Sequence, residues 1–363
     1  MNQEKCAETE SKFWFCSGVV CLSGKSEVYP SVSVIIVNFN SRDLLMQCLT
    51  SLLKSDYPNF DVFVIDNAST DGSLAEAKKH FGSDSHVKLV GNSKNVGHSE
   101  GCNIGVRMSE SKYIVFLDAD IAFENTNWLR ELVKAMENDA SVGLAQAKLV
   151  VDNDKQCLDC VCVAIDALGT WAANYGSKAD ALKENFEILA ASSGCSIIRR
   201  EVFSLAGGFD PDYFIYDDDT DLSLRVRLLG YRVMFVSSAV VIHRGGVLRG
   251  VSGTMLYYSS KNRLATILKN YQLRNVWWRF SVLAFFTLMV SVGFFVAKKH
   301  EEAKATLDGL LNPLMELPKI WRKRLIFQSK RRINDSELVK GGFVRNDFQS
   351  TIQDFKIKLA HME

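Results

Sequence analysis

The stretch Ile114-Val115-Phe116-Leu117-Asp118-Ala119-Asp120 joins an apolar run to two carboxylates. The apolar run predicts a buried strand, and this strand ends at Asp118, at the edge of a sheet. An extended Asp-x-Asp places both side chains on one face, with Cα atoms roughly 7 Å apart. Carboxylates held that close repel one another unless a cation accompanies them, and a divalent ion that also binds substrate phosphates fits this arrangement. A solvated turn is the alternative, because Asp-x-Asp is common by chance.

Strand and helix patterns alternate from residue 31 to about residue 148. Strands that alternate with helices predict a mostly parallel sheet flanked by helices, and ligands bind such sheets beyond the carboxyl ends of the strands. The strands are predicted at 32–37, 61–66, 87–90, 113–118 and 142–147, and the helices at 44–53, 72–80, 99–108 and 128–136.

Polar residues follow the first four predicted strands. They occupy 38–40, 66–73, 92–98 and 118–120. One such loop would be ordinary turn chemistry, but four at one edge of a sheet predict a binding site.

The next part of the chain is less regular, and residues 151–190 have no pattern that we can assign. Residues 192–200 predict a returning strand, which is followed by the turn Gly207-Gly208-Phe209-Asp210. The acidic run 217–221 opens a predicted helix over 222–229, which Gly230 ends. Further strands are predicted at 231–236 and 239–243.

Composition limits the class of protein. With 363 residues, 47% hydrophobic and 23% charged, the chain suffices for one large α/β domain and an appendage. A net charge of +1 gives no indication of nucleic-acid binding. Nine irregularly spaced cysteines favour a reducing compartment. The cluster Cys157, Cys160 and Cys162 lacks the further ligands that a zinc site would need.

The C-terminal part predicts a membrane-associated region. Residues 280–297 form 18 residues without a charge, and 319–332 carry seven basic residues and no acidic one. We expect an in-plane or re-entrant helix with the basic stretch on anionic lipid, at the cytoplasmic face of the membrane. A spanning helix and a buried core helix remain alternatives. The predicted divisions are an irregular leader (1–30), the domain that carries the predicted binding site (31–270) and this helical region (271–363).

The ordered motifs resemble family 2 glycosyltransferases with a GT-A fold, closest to their rhamnosyltransferase-like branch. The resemblance covers about residues 32–262, nearly two-thirds of the chain. The motifs that carry it are Val37-Asn38-Phe39-Asn40, Asp66 to Ser73, Asn95-Val96-Gly97, Asp118-Ala119-Asp120, Gly207 to Asp210, Asp218-Asp219-Thr220-Asp221, His243 and Lys261-Asn262. The Gln-x-x-Arg-Trp motif of processive members is missing, which argues against polymer synthesis.

The resemblance implies transfer of one sugar from a UDP-, dTDP- or GDP-linked donor to a lipid-linked or glycan acceptor. Asp219 is implied as the general base, in a motif where Asp218 replaces the family's Glu. Asp120 and His243 are implied to hold Mg²⁺ or Mn²⁺. The implied nucleotide-binding residues are Val37, Asn38, Asn40, Asp66, Asp71, Asn95, Gly97 and Asp118.

The chemistry supports this interpretation independently. A metal ion neutralises a diphosphate leaving group, and a carboxylate with a raised pKa deprotonates the acceptor hydroxyl. Repulsion within the acidic run 217–221 would raise at least one pKa, although the same residues would also favour a helix N-terminus. A base opposite the leaving group gives inversion. The alternatives are a sugar nucleotidyltransferase, which would need a basic glycine-rich loop after the first strand, and a catalytically inactive membrane scaffold.

Overall fold

A mixed, mostly parallel sheet with helices on both faces forms the body of the protein. The computed structural model describes residues 29–166, 169, 171–173, 177–245 and 252–346. The predicted leader lies outside these residues except for 29 and 30, and so do the last 17 residues of the predicted C-terminal region. From one edge to the other, the strands of the main sheet are Val87–Gly91, Phe60–Asp66, Val32–Asn38, Tyr113–Asp118, Cys195–Arg199, Val142–Val151, Arg232–His243 and Ile121–Ala122. A further short strand, Phe186–Glu187, pairs with Arg232–His243.

The N-terminal half confirms the predicted alternation of strands and helices. Its strands are β1 (Val32–Asn38), β2 (Phe60–Asp66), β3 (Val87–Gly91), β4 (Tyr113–Asp118), β5 (Ile121–Ala122) and β6 (Val142–Val151). Its helices are α1 (Arg42–Leu52), α2 (Ser73–Phe81), α3 (Gly97–Arg107) and α4 (Trp128–Asn138). Side chains of the central strands point alternately to the two faces of the sheet and form a hydrophobic core on each face. Helices α1, α2 and α4 cover one face, and α3 covers the other.

The later elements complete the sheet. They are β7 (Cys162–Ile165), β8 (Trp171–Ala173), β9 (Phe186–Glu187), β10 (Cys195–Arg199), α5 (Arg200–Ala206), α6 (Asp218–Leu228) and β11 (Arg232–His243). The returning strand is confirmed as β10, which runs antiparallel between β4 and β6. The prediction of two strands at 231–236 and 239–243 is wrong. The single strand β11 spans both predicted strands. A register shift between Val236 and Val240 accommodates the polar residues that separate the two predicted strands in the sequence.

The stretch 151–190 contains a small second sheet. Strands β7 and β8 pair antiparallel, and the segment before β7 runs beside the end of β6. These strands are two to four residues long, and short strands without alternation carry no periodic signal.

Among the described residues, five helices follow the sheet. They are α7 (Gly253–Asn270), α8 (Leu273–Val296), α9 (His300–Met315), α10 (Leu317–Gln328) and α11 (Asp335–Lys340). Helix α9 packs against both α7 and α8. Helix α8 begins seven residues before the predicted uncharged run, since Trp277, Trp278 and Arg279 lie within it.

Helix α8 meets the length and composition of a membrane-spanning helix, and it does so alone among the described residues. The side chains of Phe285 and Phe295 are 58% and 62% exposed. The buried core helix considered from the sequence is therefore not what the structure shows.

The basic stretch 319–332 contacts the protein itself. Lys319 and Lys323 of α10 donate to the carboxylate of Asp212 at 2.6 and 2.5 Å. Arg324 donates to the carbonyls of Leu268 and Tyr271. The donors of these three side chains thus bind α7 and the loop before α6, and contact of the basic stretch with lipid stays a prediction.

Candidate active site

The ends of β1 and β2 form the floor of the candidate site. Asn38 and Asp66 are paired in register on neighbouring parallel strands, and both are buried. The Asn38 amide donates to Asp66 Oδ1 at 2.9 Å, and the Ser69 backbone donates to Oδ2 at 2.9 Å. Asp66 therefore fixes the loop after β2, and each of its oxygens keeps a further lone pair for a ligand.

The next two predicted nucleotide-binding residues hold loops together. Asn40 Oδ1 accepts from the Thr70 backbone at 2.8 Å. Asp71 accepts from the Arg42 backbone at 2.8 Å and the Ser73 backbone at 3.0 Å. These contacts lie within the loops after β1 and β2, and a nucleotide contact by Asn40 or Asp71 stays a prediction.

The start of α3 is built for close approach to the loop before α6. Gly97 has φ +85°, and its amide donates to Asn95 Oδ1 at 2.9 Å. A Cβ on Gly97 would lie 2.6 Å from the Phe214 carbonyl oxygen, so only glycine fits here. That carbonyl accepts the backbone N–H of His98 at 2.6 Å.

The segment before α6 is unusual in its backbone. Phe214, Tyr216 and Asp217 have φ of 63°, 66° and 55°. Three residues other than glycine in this region cost free energy, and such strain concentrates at functional sites. The Asn262 side chain of α7 donates to the carbonyls of Tyr213, Ile215 and Tyr216, which holds the segment in place.

Sheet pairing brings Asp118 together with Asp120 and His243, the two predicted metal ligands. Asp118 ends β4, and β5, which begins three residues later, pairs antiparallel with the end of β11, so that His243 is opposite Ile121. Ligand atoms of Asp118, Asp120 and His243 lie within 4.8 Å of one another. Asp118, predicted to approach the ribose, is thus also placed to ligate a metal.

The donor set of this cluster fits a divalent metal ion. Two carboxylates and one imidazole suit Mn²⁺ or Mg²⁺, and they leave coordination positions for phosphate oxygens. Burial and repulsion from Asp120 raise the pKa of Asp118. A cation between the two carboxylates would relieve that repulsion.

The carboxylates at the start of α6 have different environments. Asp221 is fully buried and pairs with Arg225 (2.7 Å) and Lys269 (2.9 Å). Asp218 is buried and accepts from His98 Nδ1 and Ser99 Oγ, both at 2.8 Å. Burial opposes ionisation of Asp218, but the interaction with His98 outweighs it and lowers its pKa. Asp221 and Asp218 are therefore ionised and already bound.

Asp219 has a different environment from Asp218 and Asp221. Its side chain is partly exposed, and it accepts from the Thr220 backbone at 2.6 Å and the Ser193 backbone at 3.4 Å. Burial, followed by repulsion from Asp218 and Asp217, raises the pKa of Asp219 to about 7. A base with that pKa is half ionised near neutral pH, where it accepts protons most effectively.

Ser193 and Gly194 connect the acidic run with the metal cluster. The Ser193 amide contacts Asp219, and the Gly194 carbonyl accepts from the Asp118 backbone at 3.1 Å. The structure therefore brings the predicted base and the predicted metal site to one end of the sheet.

The sequence did not predict two histidine–carboxylate contacts at this site. His98 contacts Asp218 and lies 3.9 Å from Asp118, and Asp159 contacts His243. The position of His98 beside Gly97 was a usable signal, because that loop was already predicted to face the site. Asp159 lies in the stretch without a pattern, and nothing in the sequence marked it.

Comparisons with known proteins show similarity to one family over part of the chain. Residues 33–205 match the family model described as glycosyl transferase family 2. The chain is 26% identical over 227 residues to the O-antigen biosynthesis protein RfbC of Myxococcus xanthus, which is 61% of this chain and 18% of that protein. The chain spans 18–39% of the length of the first curated relatives it matches.

Solved structures show the same fold. GalNAc-T7 with UDP, GalNAc and Mn²⁺ aligns with a TM-score of 0.56 and 21% identity, over 69% of this chain and 49% of that one. The mannosyltransferase PcManGT from Pyrobaculum calidifontis, in complex with GDP-Man and Mn²⁺, aligns with a TM-score of 0.51 and 18% identity. That alignment covers 84% of this chain and 86% of PcManGT. The fold is GT-A, and residues 33–205 carry the similarity to glycosyltransferase family 2.

Proposed function

We propose that the protein transfers a single sugar from a nucleotide-sugar donor to a hydroxyl acceptor, with inversion at the anomeric carbon. The observation that carries the proposal is the dipeptide Ser193-Gly194, which contacts both Asp219 and Asp118. A base and a cluster of metal ligands thus lie on either side of one short loop. That arrangement suits a donor whose leaving group binds the metal while the acceptor approaches the base.

The residues of the site have three different roles in the proposed reaction. Asp66, Asn38, Val37 and Asn95 line the nucleoside end of the site, and Asp118, Asp120 and His243 would hold a divalent metal. The metal supplies neutralisation of charge on the diphosphate leaving group. Asp219 accepts the proton of the acceptor hydroxyl, and the hydroxyl oxygen forms the new bond to the anomeric carbon. The bond between that carbon and the diphosphate oxygen breaks on the opposite face, and the nucleoside diphosphate leaves with the electron pair.

The donor class rests on the fold and on the two neighbours that carry nucleotides. UDP and GDP-Man are bound in those structures, and we propose a UDP-, dTDP- or GDP-linked hexose or deoxyhexose. A deoxyhexose agrees with the rhamnosyltransferase-like motifs. Thermal unfolding with each donor and Mn²⁺ tests this directly, since a ligand present at 100 times its dissociation constant stabilises by about 2.7 kcal/mol. Stabilisation by none of the three nucleotides would contradict the proposal.

We further propose a lipid-linked glycan acceptor at the cytoplasmic face of the membrane. The exposed apolar surface of α8 supports association with a bilayer, and the packing of α9 against α8 suits an in-plane or re-entrant arrangement. Fractionation of cells, followed by salt and carbonate washes, tests the association. Replacement of Phe285 and Phe295 with serine should release the protein, whereas serine at the exposed Met108 of the catalytic domain should not. Recovery of the unmodified protein entirely in the soluble fraction would contradict membrane association.

Turnover assays separate the alternatives. A sugar nucleotidyltransferase would release pyrophosphate from a nucleoside triphosphate, and an inactive scaffold would turn over neither substrate. The retained ionisable cluster favours a catalyst over a scaffold, because buried carboxylates in repulsive contact cost stability.

A further inference from the structure

A buried carboxylate contacts the imidazole of the candidate metal site through the ring nitrogen that does not face Asp120. Asp159 is 2% exposed, and its Oδ2 lies 2.7 Å from Nδ1 of His243. Its backbone donates to the Leu149 carbonyl of β6 at 3.0 Å, and the neighbouring Val151 donates to the Cys157 carbonyl at 3.0 Å. Asp159 is therefore held on the sheet itself.

The two nitrogens of the His243 ring face different carboxylates. Nδ1 faces Asp159, and Nε2 lies 3.3 Å from Asp120 Oδ1. A carboxylate accepts and never donates, so Asp159, the closer partner at 2.7 Å, holds hydrogen on Nδ1. A metal ion would displace the hydrogen that Asp120 favours on Nε2, which leaves the tautomer with hydrogen on Nδ1 alone. In that tautomer the lone pair of Nε2 points into the cluster with Asp118 and Asp120. A hydrogen bond on the remote nitrogen also makes the imidazole a better ligand.

We propose that Asp159 is a positioning residue, which orients His243 and fixes its tautomer so that Nε2 binds the divalent metal. The inference rests on the metal site of the proposed function and adds a residue to it. Asp159 itself touches neither the donor nor the metal. A purely structural role would affect folding without changing how nitrogen binds a metal ion, so the two roles predict different measurements.

The test uses the full chain and Mn²⁺ alone, with affinity measured by electron paramagnetic resonance. Pulsed measurement of the bound ion detects ¹⁴N coupling from a coordinated imidazole. The unmodified protein should give this coupling, and His243→Ala should lose it. Asp159→Leu, which keeps similar volume without an acceptor, should bind Mn²⁺ roughly 10- to 100-fold more weakly and lose or diminish the coupling.

Further variants separate positioning from folding. Asp159→Asn keeps one acceptor oxygen without the charge and should fall between the unmodified protein and Asp159→Leu. Asp159→Asn also replaces Asp159→Leu in the test if Asp159→Leu does not fold. Asp154→Asn removes an exposed carboxylate of the same segment and should leave both affinity and coupling unchanged. In the double variant His243→Ala with Asp159→Leu, affinity should fall no further than in His243→Ala.

Two results would overturn the inference. One is unchanged Mn²⁺ affinity and ¹⁴N coupling in the Asp159 variants. The other is a protein that binds Mn²⁺ without any ¹⁴N coupling, because His243 would then not be a ligand. That second result leaves the proposed transfer reaction intact, since donor turnover is measured separately.

Discussion

Nδ1 of His98 lies 2.8 Å from the Asp218 carboxylate, which also accepts from Ser99. This contact assigns different roles to two adjacent carboxylates, because Asp218 is bound and ionised while Asp219 has a pKa of about 7. The charge on Asp218 is itself one reason that the pKa of Asp219 is raised. His98 thus acts on the proposed base through Asp218.

Replacement of the proposed base should separate catalysis from binding. Asp219→Asn keeps the shape of the side chain but cannot accept a proton, so we expect kcat to fall by about two to four orders of magnitude. Donor affinity, measured by calorimetry, should change little. Asp218→Asn should instead disturb the contact with His98 and reduce kcat less. Normal transfer by Asp219→Asn would mean that another carboxylate is the base.

The pH dependence of transfer follows from the same group. Asp219 acts when ionised, so kcat/KM should rise about tenfold per pH unit below pH 7 and level off above it. The folded protein holds this proton more tightly than the unfolded chain, where the pKa is near 3.8. Ionisation of Asp219 as pH rises from 4 to 8 therefore costs stability, and Asp219→Asn should raise the melting temperature at pH 8. A rate that is flat between pH 5 and 8 would contradict this assignment.

Loss of a metal ligand should affect donor and metal together. Asp120→Asn removes a charged ligand, so the affinities for Mn²⁺ and for the nucleotide sugar should both fall, and addition of EDTA to the unmodified protein should stop transfer. Titration calorimetry with each ligand in turn measures the coupling. Full activity in EDTA would contradict the metal requirement.

The innermost carboxylate of the acidic run should matter for stability. Asp221→Asn leaves Arg225 and Lys269 buried with less compensation, and we expect a loss of about 3–5 kcal/mol in the free energy of unfolding. Urea denaturation measures this, with Asp217→Asn as the matched control because its partner Arg263 is more exposed. Equal stability of the two variants would show that the buried pair contributes nothing.

The sequence predicted the parts of the site that follow strong periodic strands. Asp66 and Asp118 were found because each ends a run of apolar residues, and such runs make strands whatever surrounds them. The difference between Asp218 and Asp219 was not predictable, because it depends on a contact with His98, which is 120 residues away along the chain. Asp159 was missed for the same reason, since its partner is 84 residues away and its segment has no periodicity.

Release of nucleoside diphosphate from UDP-, dTDP- and GDP-sugars tests the central claim most directly. The unmodified full-length protein with Mn²⁺ should turn over at least one donor, EDTA should abolish the release, and Asp219→Asn should reduce it by about two orders of magnitude or more. Release that persists at the same rate in EDTA and in Asp219→Asn, or no release from any donor, would contradict the account.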